Sequence, residues 1–239
     1  MIECAIVKQR MEFFMYTKHY YDAKVGYGFH YLKYTPKDVS SGEKLPLLIY
    51  MHGAGERGNV DGSQVDLVST HGYFKYIKEG KEYPVMMVAP QCPINNYWGS
   101  YIESLNRFLD YIIAENNVDV TRVYLTGNSM GGTATWLWAL DNAERFAAIA
   151  PVCGEGISWY GGRLCDLPVR AFHGDCDTVV SPHQSLAMVS AANLYGKKAN
   201  ASLTIFPGVA HNAWDYAYND ELIEWFLTHR NNGKPPVIW

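Results

Sequence analysis

Ser129 is the residue in this sequence whose surroundings most clearly favour chemistry. It lies in the pattern Gly127-Asn128-Ser129-Met130-Gly131, after the apolar run Val123-Tyr124-Leu125-Thr126 and before a helical stretch. A strand, a sharp turn and a helix in this order raise a serine hydroxyl above a sheet, and the glycines leave room for neighbouring backbone. We therefore predict that Ser129 is a nucleophile that forms a covalent acyl-enzyme. The alternative is a serine that only caps a helix in a tight turn.

A serine nucleophile needs a histidine base and an acid that orients this base, and such a turn is usually followed by the acid first and the histidine later. Asp175 and Asp177 both follow the apolar run at 169–172. Asp177 lies farther out on the loop and is the predicted acid, whereas Asp175 is expected to hydrogen-bond loop backbone. His211 lies in a late, turn-rich loop and is the predicted base. Because the base must be neutral, and free histidine titrates near pH 6.5, activity is expected to fall below roughly pH 6 to 7.

A glycine-rich loop after an earlier strand could supply an oxyanion hole. The segment His52-Gly53-Ala54-Gly55-Glu56-Arg57-Gly58 follows the apolar run at 45–51. Backbone N–H groups at such a position and directly after the nucleophile stabilise the oxyanion of an acyl-transfer reaction. We predict that the donors are the N–H groups of Ala54 and Met130. Glu56 and Arg57 are expected to hold the loop by ion pairs or hydrogen bonds, although direct substrate contact is an alternative.

The elements that must position these residues alternate between strands and helices. Glu12 to Tyr34 is predicted to be an antiparallel strand pair, and the later apolar runs are predicted to be buried parallel strands. Amphipathic spacing predicts helices between them. The strand runs are 45–51, 85–89, 123–126, 147–152, 169–172 and 202–206, and the helical stretches are 103–114, 133–140, 182–195 and 220–229. This alternation predicts an α/β fold, with a mostly parallel sheet covered by helices on both faces, in a single domain over residues 1–239. Each proposed site loop follows a strand, where open sheets of this type bind ligands.

Composition excludes several classes of protein. Hydrophobic residues make up 48% and charged residues 18% of the 239 residues, which is typical of a chain with a sizeable core and not of a disordered one. A net charge of −4 argues against a nucleic-acid partner. We predict no membrane span and a cytoplasmic protein, although export after removal of a signal peptide stays open. The five cysteines are scattered and odd in number, which favours free thiols, and no cluster predicts a metal site.

Taken together, the motifs resemble those of a known family. The chain reads His-Gly-Ala-Gly-Glu-Arg-Gly at 52–58, Ala-Pro-Gln-Cys-Pro at 89–93, Gly-Asn-Ser-Met-Gly-Gly at 127–132, His-Gly-Asp-Cys-Asp at 173–177 and His-Asn-Ala-Trp-Asp at 211–215. This set resembles the bacterial phospholipase/carboxylesterase-like hydrolases of the α/β-hydrolase superfamily, often labelled "predicted peptidase". They are related to acyl-protein thioesterases, dienelactone hydrolases and feruloyl or acetylxylan esterases. The resemblance implies an α/β-hydrolase fold, a Ser129–Asp177–His211 triad and hydrolysis of carboxylic esters without a cofactor. Ala210 departs from the glycine that often precedes the histidine in relatives, and a small steric adjustment is expected there.

The expected substrate is a small-molecule ester with a short acyl or aromatic group. About fifteen residues separate the motif at 151–154 from the next strand, which leaves no room for a large lid and disfavours long-chain lipids. Trp98 and Trp214 flank site loops and are predicted to line the pocket, where they could stack on an aryl or sugar group of a plant polysaccharide ester. For Trp159 and Tyr160, pocket lining and ordinary packing are equally favoured. A serine peptidase of the same fold and a non-catalytic binding protein remain as alternatives.

Overall fold

The strands form one eight-stranded sheet. The computed structural model describes residues 15–37, 40, 42–194 and 200–232. The strands are β1 (Tyr16–Tyr21), β2 (Phe29–Tyr34), β3 (Leu45–Met51), β4 (Met86–Pro90), β5 (Val118–Asn128), β6 (Ala148–Val152), β7 (Val169–Gly174) and β8 (Ala201–Phe206). Their order across the sheet is β1-β2-β4-β3-β5-β6-β7-β8. The pairs β1–β2 and β2–β4 are antiparallel, and every other neighbouring pair is parallel.

The sheet confirms the predicted architecture and corrects it in detail. The N-terminal antiparallel pair is present as β1 and β2, and residues 12–14 of the predicted segment lie outside the described residues. β5 begins at Val118, five residues before the predicted run. β8 was expected to be buried, yet each of its side chains is either partly buried or exposed. The physical reason is its place at the sheet edge, where only β7 pairs with it.

Helices cover both faces of the sheet. They are α1 (Gly72–Lys78), α2 (Ile102–Glu115), α3 (Met130–Asp141), α4 (Pro182–Leu194), α5 (Trp214–Ala217) and α6 (Asp220–Leu227). Because successive side chains of a strand point to opposite faces, β3 places Leu47 and Ile49 in one core and Leu48 and Tyr50 in the other. The first core is closed by residues of α2, α3 and α4, and the second by residues of α1 and α6. Tyr195, the last residue of the predicted 182–195 helix, lies outside the described residues.

The topology brings the carboxyl ends of the parallel strands to one edge of the sheet. Gly127, near the end of β5, pairs with Met51 of β3 on one side and with Pro151 of β6 on the other. Gly174, at the end of β7, pairs with Phe206 at the end of β8. The loops after β3, β5, β7 and β8 therefore start from a common edge. Between β6 and β7 the structure has a 3-10 helix, Ser158–Leu164, and no large lid.

None of the helices in the described ranges is both long and apolar enough to cross a membrane.

Candidate active site

Ser129 occupies a strained turn between β5 and α3. Its φ of 56° and ψ of −120° lie outside the region that L residues normally adopt. The backbone packs so closely that a Cβ on Gly131 would overlap the Met51 carbonyl oxygen, and a Cβ on Gly127 would lie 2.6 Å from the same atom. The Ser129 N–H donates to the Val152 carbonyl oxygen at 2.9 Å, which ties the turn to β6. The glycines of the sequence pattern are therefore required by this close approach of backbone segments.

The three predicted catalytic side chains meet in one hydrogen-bonded chain. His211 Nδ1 lies 2.7 Å from Asp177 Oδ2, and His211 Nε2 lies 2.8 Å from Ser129 Oγ. A carboxylate can only accept, so Nδ1 carries the proton and the Ser129 hydroxyl donates to Nε2. A serine in this arrangement can lose its proton to Nε2 as it attacks.

Asp177 is held as a carboxylate by four N–H groups. Its Oδ1 accepts from the backbone N–H groups of Val179 and Val180 at 2.8 and 2.9 Å, and its Oδ2 faces His211 and His173. Burial would raise the pKa of the Asp177 carboxyl, but the hydrogen bonds from His211, Val180 and Val179 outweigh it, and the pKa lies below its ordinary value. The acid therefore stays ionised.

Asp175 has the backbone-binding position expected of it, with one difference. Its Oδ1 accepts from the Gly208 N–H at 2.7 Å, so the backbone that it binds belongs to the neighbouring loop that carries His211. The turn within the acid's own loop is instead stabilised by Asp177. Gly174 brings these two loops together, since a Cβ there would overlap the Val209 carbonyl oxygen. Ala210 is not among the residues with positive φ, so the chain accommodates it before His211 without backbone strain.

The loop after β3 and the start of α3 carry the two predicted oxyanion donors. Ala54 begins a short 3-10 helix, Ala54–Glu56, and Met130 is the first residue of α3. N–H groups at the start of a helix have no partner within the helix, which leaves them open to an oxyanion. Arg57 donates to the Ala54 and Asn96 carbonyl oxygens at 2.8 and 3.0 Å, which matches the loop-holding role expected of it.

His52 is the buried anchor of this loop. It is fully buried, its Nδ1 lies 2.6 Å from the Gly53 carbonyl oxygen, and its Nε2 accepts from the Cys92 N–H at 2.9 Å. Burial lowers the pKa of His52 to about 4, so the ring is neutral near pH 7. Both ring nitrogens bind backbone, and the imidazole acts as a crosslink between the loops after β3 and β4.

The two predicted pocket tryptophans differ. Trp98 is only 1% exposed, and its indole N–H donates to the His52 carbonyl oxygen at 3.1 Å. The prediction that Trp98 lines the pocket is therefore wrong in this structure, because its ring packs under the loop against His52 and Phe29. Trp214 is partly exposed, and its ring centroid lies 5.4 Å from that of His211 and 5.4 Å from that of His71. A substrate that reaches His211 would meet Trp214.

Two side chains that the sequence did not predict at the site, His173 and Cys153, lie beside Asp177. His173 is fully buried and contacts Asp177 Oδ2 at 3.1 Å through Nε2. Cys153 is buried with a φ of 41°, and its sulfur lies within 4.8 Å of an Asp177 oxygen and a His211 nitrogen. Among the described residues this is the one set of three side chains that could hold a metal ion. However, the Asp177 and His211 atoms already form the hydrogen bonds above, and burial raises the pKa of the Cys153 thiol to about 12.

The family comparison identifies the relatives of this chain. The sequence model of the dienelactone hydrolase family matches residues 99–219, which include Ser129, Asp177 and His211. A bifunctional acetylxylan esterase/xylanase of Neocallimastix patriciarum is 29% identical over 157 residues, which cover 63% of this chain and 22% of that protein.

Solved structures share the fold. A thermostable esterase is 28% identical with a TM-score of 0.75, and the match covers 91% of this chain and 64% of that one. The feruloyl esterase module of Clostridium thermocellum superposes with a TM-score of 0.63 at 16% identity, over 84% of this chain and 83% of that one, which shows a common fold alone. The α/β-hydrolase fold predicted from the motifs is confirmed. This chain spans about a fifth of the curated relative and just under two thirds of the thermostable esterase.

Proposed function

The chain belongs to the dienelactone hydrolase family, and we propose that it is a serine carboxylesterase that acts through an acyl-enzyme on Ser129. The observation that carries this proposal is the unbroken chain of hydrogen bonds from Ser129 Oγ through His211 to Asp177 Oδ2. A binding protein has no need for a strained serine joined to a neutral base and a buried carboxylate. Such an arrangement activates a hydroxyl that is otherwise a weak nucleophile.

In the proposed mechanism, His211 takes the Ser129 proton as Oγ attacks the ester carbonyl carbon. The backbone N–H groups of Ala54 and Met130 stabilise the oxyanion, and Asp177 stabilises the imidazolium. The C–O bond to the alcohol breaks as His211 returns the proton to the leaving oxygen. A water then gives a proton to His211 as its oxygen attacks the acyl carbon. The bond from that carbon to Ser129 Oγ breaks, His211 returns the proton to Oγ, and the acid leaves.

The proposed substrates are esters with a short acyl or an aromatic group, of the acetyl or feruloyl type. Trp214 beside His211 offers an aromatic face, and the β6–β7 connection supplies no lid that would enclose a long chain. The acetylxylan esterase/xylanase relative supports an acyl group carried on a polysaccharide, and the feruloyl esterase module shares the fold. No cofactor is needed for this chemistry.

The proposal is tested with an ester panel on wild type, Ser129→Ala and the control Ser202→Ala. The panel grades p-nitrophenyl esters by acyl length and adds methyl ferulate, acetylated xylan and a peptidyl p-nitroanilide. Ser202 is exposed at the start of β8, far along the strand from the site edge, so Ser202→Ala should match wild type. We expect kcat to fall by about 10⁴ to 10⁶ in Ser129→Ala, as for other serine hydrolases that lose the nucleophile.

Three results would count against the proposal. If Ser129→Ala turns esters over as fast as wild type, Ser129 is not the nucleophile. Cleavage of the anilide without cleavage of esters would favour a peptidase, and a wild-type protein that turns over nothing in the panel would favour a binding protein. A preference that rises steadily with acyl length would contradict the short-acyl part alone.

A further inference from the structure

A second histidine contacts the same oxygen of the triad aspartate as His211 does. His173 ends the apolar stretch of β7, and none of its surface is exposed. Its Nε2 lies 2.9 Å from the Val180 carbonyl oxygen and 3.1 Å from Asp177 Oδ2. Both of these atoms accept only, because Asp177 is ionised. Nε2 must therefore carry a proton that it shares between them.

The other ring nitrogen is also engaged. His173 Nδ1 lies 2.8 Å from Ser185 Oγ, and Ser185, on α4, is fully buried. The same hydroxyl oxygen lies 3.5 Å from the Gly154 carbonyl oxygen, at the long limit for a hydrogen bond. The shorter contact favours donation by the Ser185 hydroxyl to Nδ1. Ser185 thus fixes the tautomer of His173 that points an N–H at Asp177.

These contacts complete the hydrogen bonding of the carboxylate. An ionised carboxyl group has about four lone-pair sites. Asp177 receives two backbone N–H groups on Oδ1 and two imidazole N–H groups on Oδ2. The His173 N–H therefore shares Oδ2 with the catalytic base and withdraws negative charge from the atom that stabilises the imidazolium of His211.

We propose that His173 is a positioning residue of the reaction: with Ser185 behind it, its N–H fixes the Asp177 carboxylate and sets how strongly this carboxylate favours protonation of His211. The inference rests on the triad of the proposed function. It assigns no contact between His173 and the substrate, because the ring is fully buried. Removal of the donor should make Oδ2 a stronger acceptor for His211, so that His211 becomes protonated at higher pH.

The other titratable groups near this pair do not obscure the effect. Cys153 approaches Asp177 and His211 from the end of β6, and burial raises the pKa of its thiol to about 12, so it stays neutral in the acid range. Asp175, on the same loop, bonds the Gly208 N–H. Both residues are unchanged in every variant below, so their contributions cancel in the comparison with wild type.

The test uses His173→Leu, His173→Gln and Ser185→Ala. We measure kcat/KM against pH and, in a Ser129→Ala background, follow the ¹⁵N-labelled imidazole of His211 by NMR titration, assigned with His211→Gln. A hydrogen bond of ordinary strength corresponds to a shift of about half to one pH unit. We expect the acid limb and the NMR midpoint to move up by that amount in His173→Leu, to move less in Ser185→Ala, and to stay near wild type in His173→Gln, whose amide N–H can replace Nε2.

The outcomes separate a positioning role from a purely structural one. Unchanged midpoints in His173→Leu and Ser185→Ala, with activity reduced only as folded protein is lost, would overturn the proposal, and so would an equal shift in His173→Gln and His173→Leu. If His173→Leu does not fold, Ser185→Ala alone decides by its midpoint. Because the NMR titration needs no turnover, it tests the inference even where the proposed ester hydrolysis fails, and Ser129→Ala turnover tests that hydrolysis separately.

Discussion

The same dipeptide stands at the carboxyl ends of two strands of this sheet: His52-Gly53 directly follows β3, and His173-Gly174 ends β7. Both histidines are fully buried, and both use the two ring nitrogens. The hydrogen bonds of His52 go to backbone, to the Gly53 carbonyl and from the Cys92 N–H, and the Glu56 carboxylate lies 3.9 Å from its Nδ1. His173 instead connects a serine hydroxyl to the carboxylate of Asp177.

The difference shows that one local pattern serves two purposes. The His52 crosslink shapes a loop whose proposed contribution is a backbone N–H group, and that contribution needs only the folded loop. The His173 contact ends on an ionised side chain, Asp177, which in the proposed mechanism orients His211 and stabilises its imidazolium. Changes near His52 should therefore act mainly on stability and loop order, whereas changes around His173 and Asp177 should act on the pH dependence and rate of the reaction.

The largest effect is expected from Asp177→Asn, which changes the carboxylate that His173 and His211 contact. The amide cannot accept the Nδ1 proton of His211 as a carboxylate does and cannot stabilise the imidazolium. Replacement of a triad aspartate by asparagine typically lowers kcat by about 10⁴. We expect a loss of that size on p-nitrophenyl acetate, with a circular dichroism spectrum like that of wild type. A loss of less than tenfold would assign the acid to another residue.

Particular residues show how far the sequence could predict this site. Ser129, Asp177 and His211 follow strands whose ends share one edge, so chain order and strand position were sufficient to predict their meeting. The role of His173 was not predicted, because its partner Asp177 was paired with His211 and no pattern shows which side of a carboxylate a ring approaches. Trp98 was misassigned because nearness to a site motif does not reveal whether a ring faces solvent or the core. The exposure of β8 depends on sheet order, which requires tertiary structure.

The pH dependence of the free energy of unfolding tests the role of His52. The pKa of His52 is about 4 in the folded protein, and that of an unfolded histidine is about 6.5, so between these values the unfolded chain binds more protons. Stability is therefore retained above pH 6.5 and falls as the pH drops towards 4. From pH 7.5 to 5, this residue alone should lower the free energy of unfolding by about 2 kcal/mol.

The measurement is urea unfolding of wild type and His52→Gln at both pH values. The contributions of the other histidines are common to the two proteins. His52→Gln should be less stable at pH 7.5 but should lose about 2 kcal/mol less than wild type on acidification. Equal losses in the two proteins would mean that His52 does not carry the neutral, buried ring described above.

The smallest effect is expected from Asp175→Asn, which shows how the two aspartates of this loop differ. Asp175 Oδ1 accepts the Gly208 N–H and thereby ties the loop of Asp177 to the loop of His211, yet its side chain is exposed and touches neither triad partner. Asp175→Asn keeps an acceptor oxygen at that point, and Asp175→Ala removes it at a cost of roughly 1 kcal/mol in the free energy of unfolding. We expect kcat/KM of Asp175→Asn to stay within a few-fold of wild type and its pH profile to be unchanged. Asp177→Asn makes the same exchange of a carboxylate for an amide, two residues farther along the chain. A large loss in Asp175→Asn would therefore show that the contact between the loops, and not the carboxylate beside His211, limits the reaction.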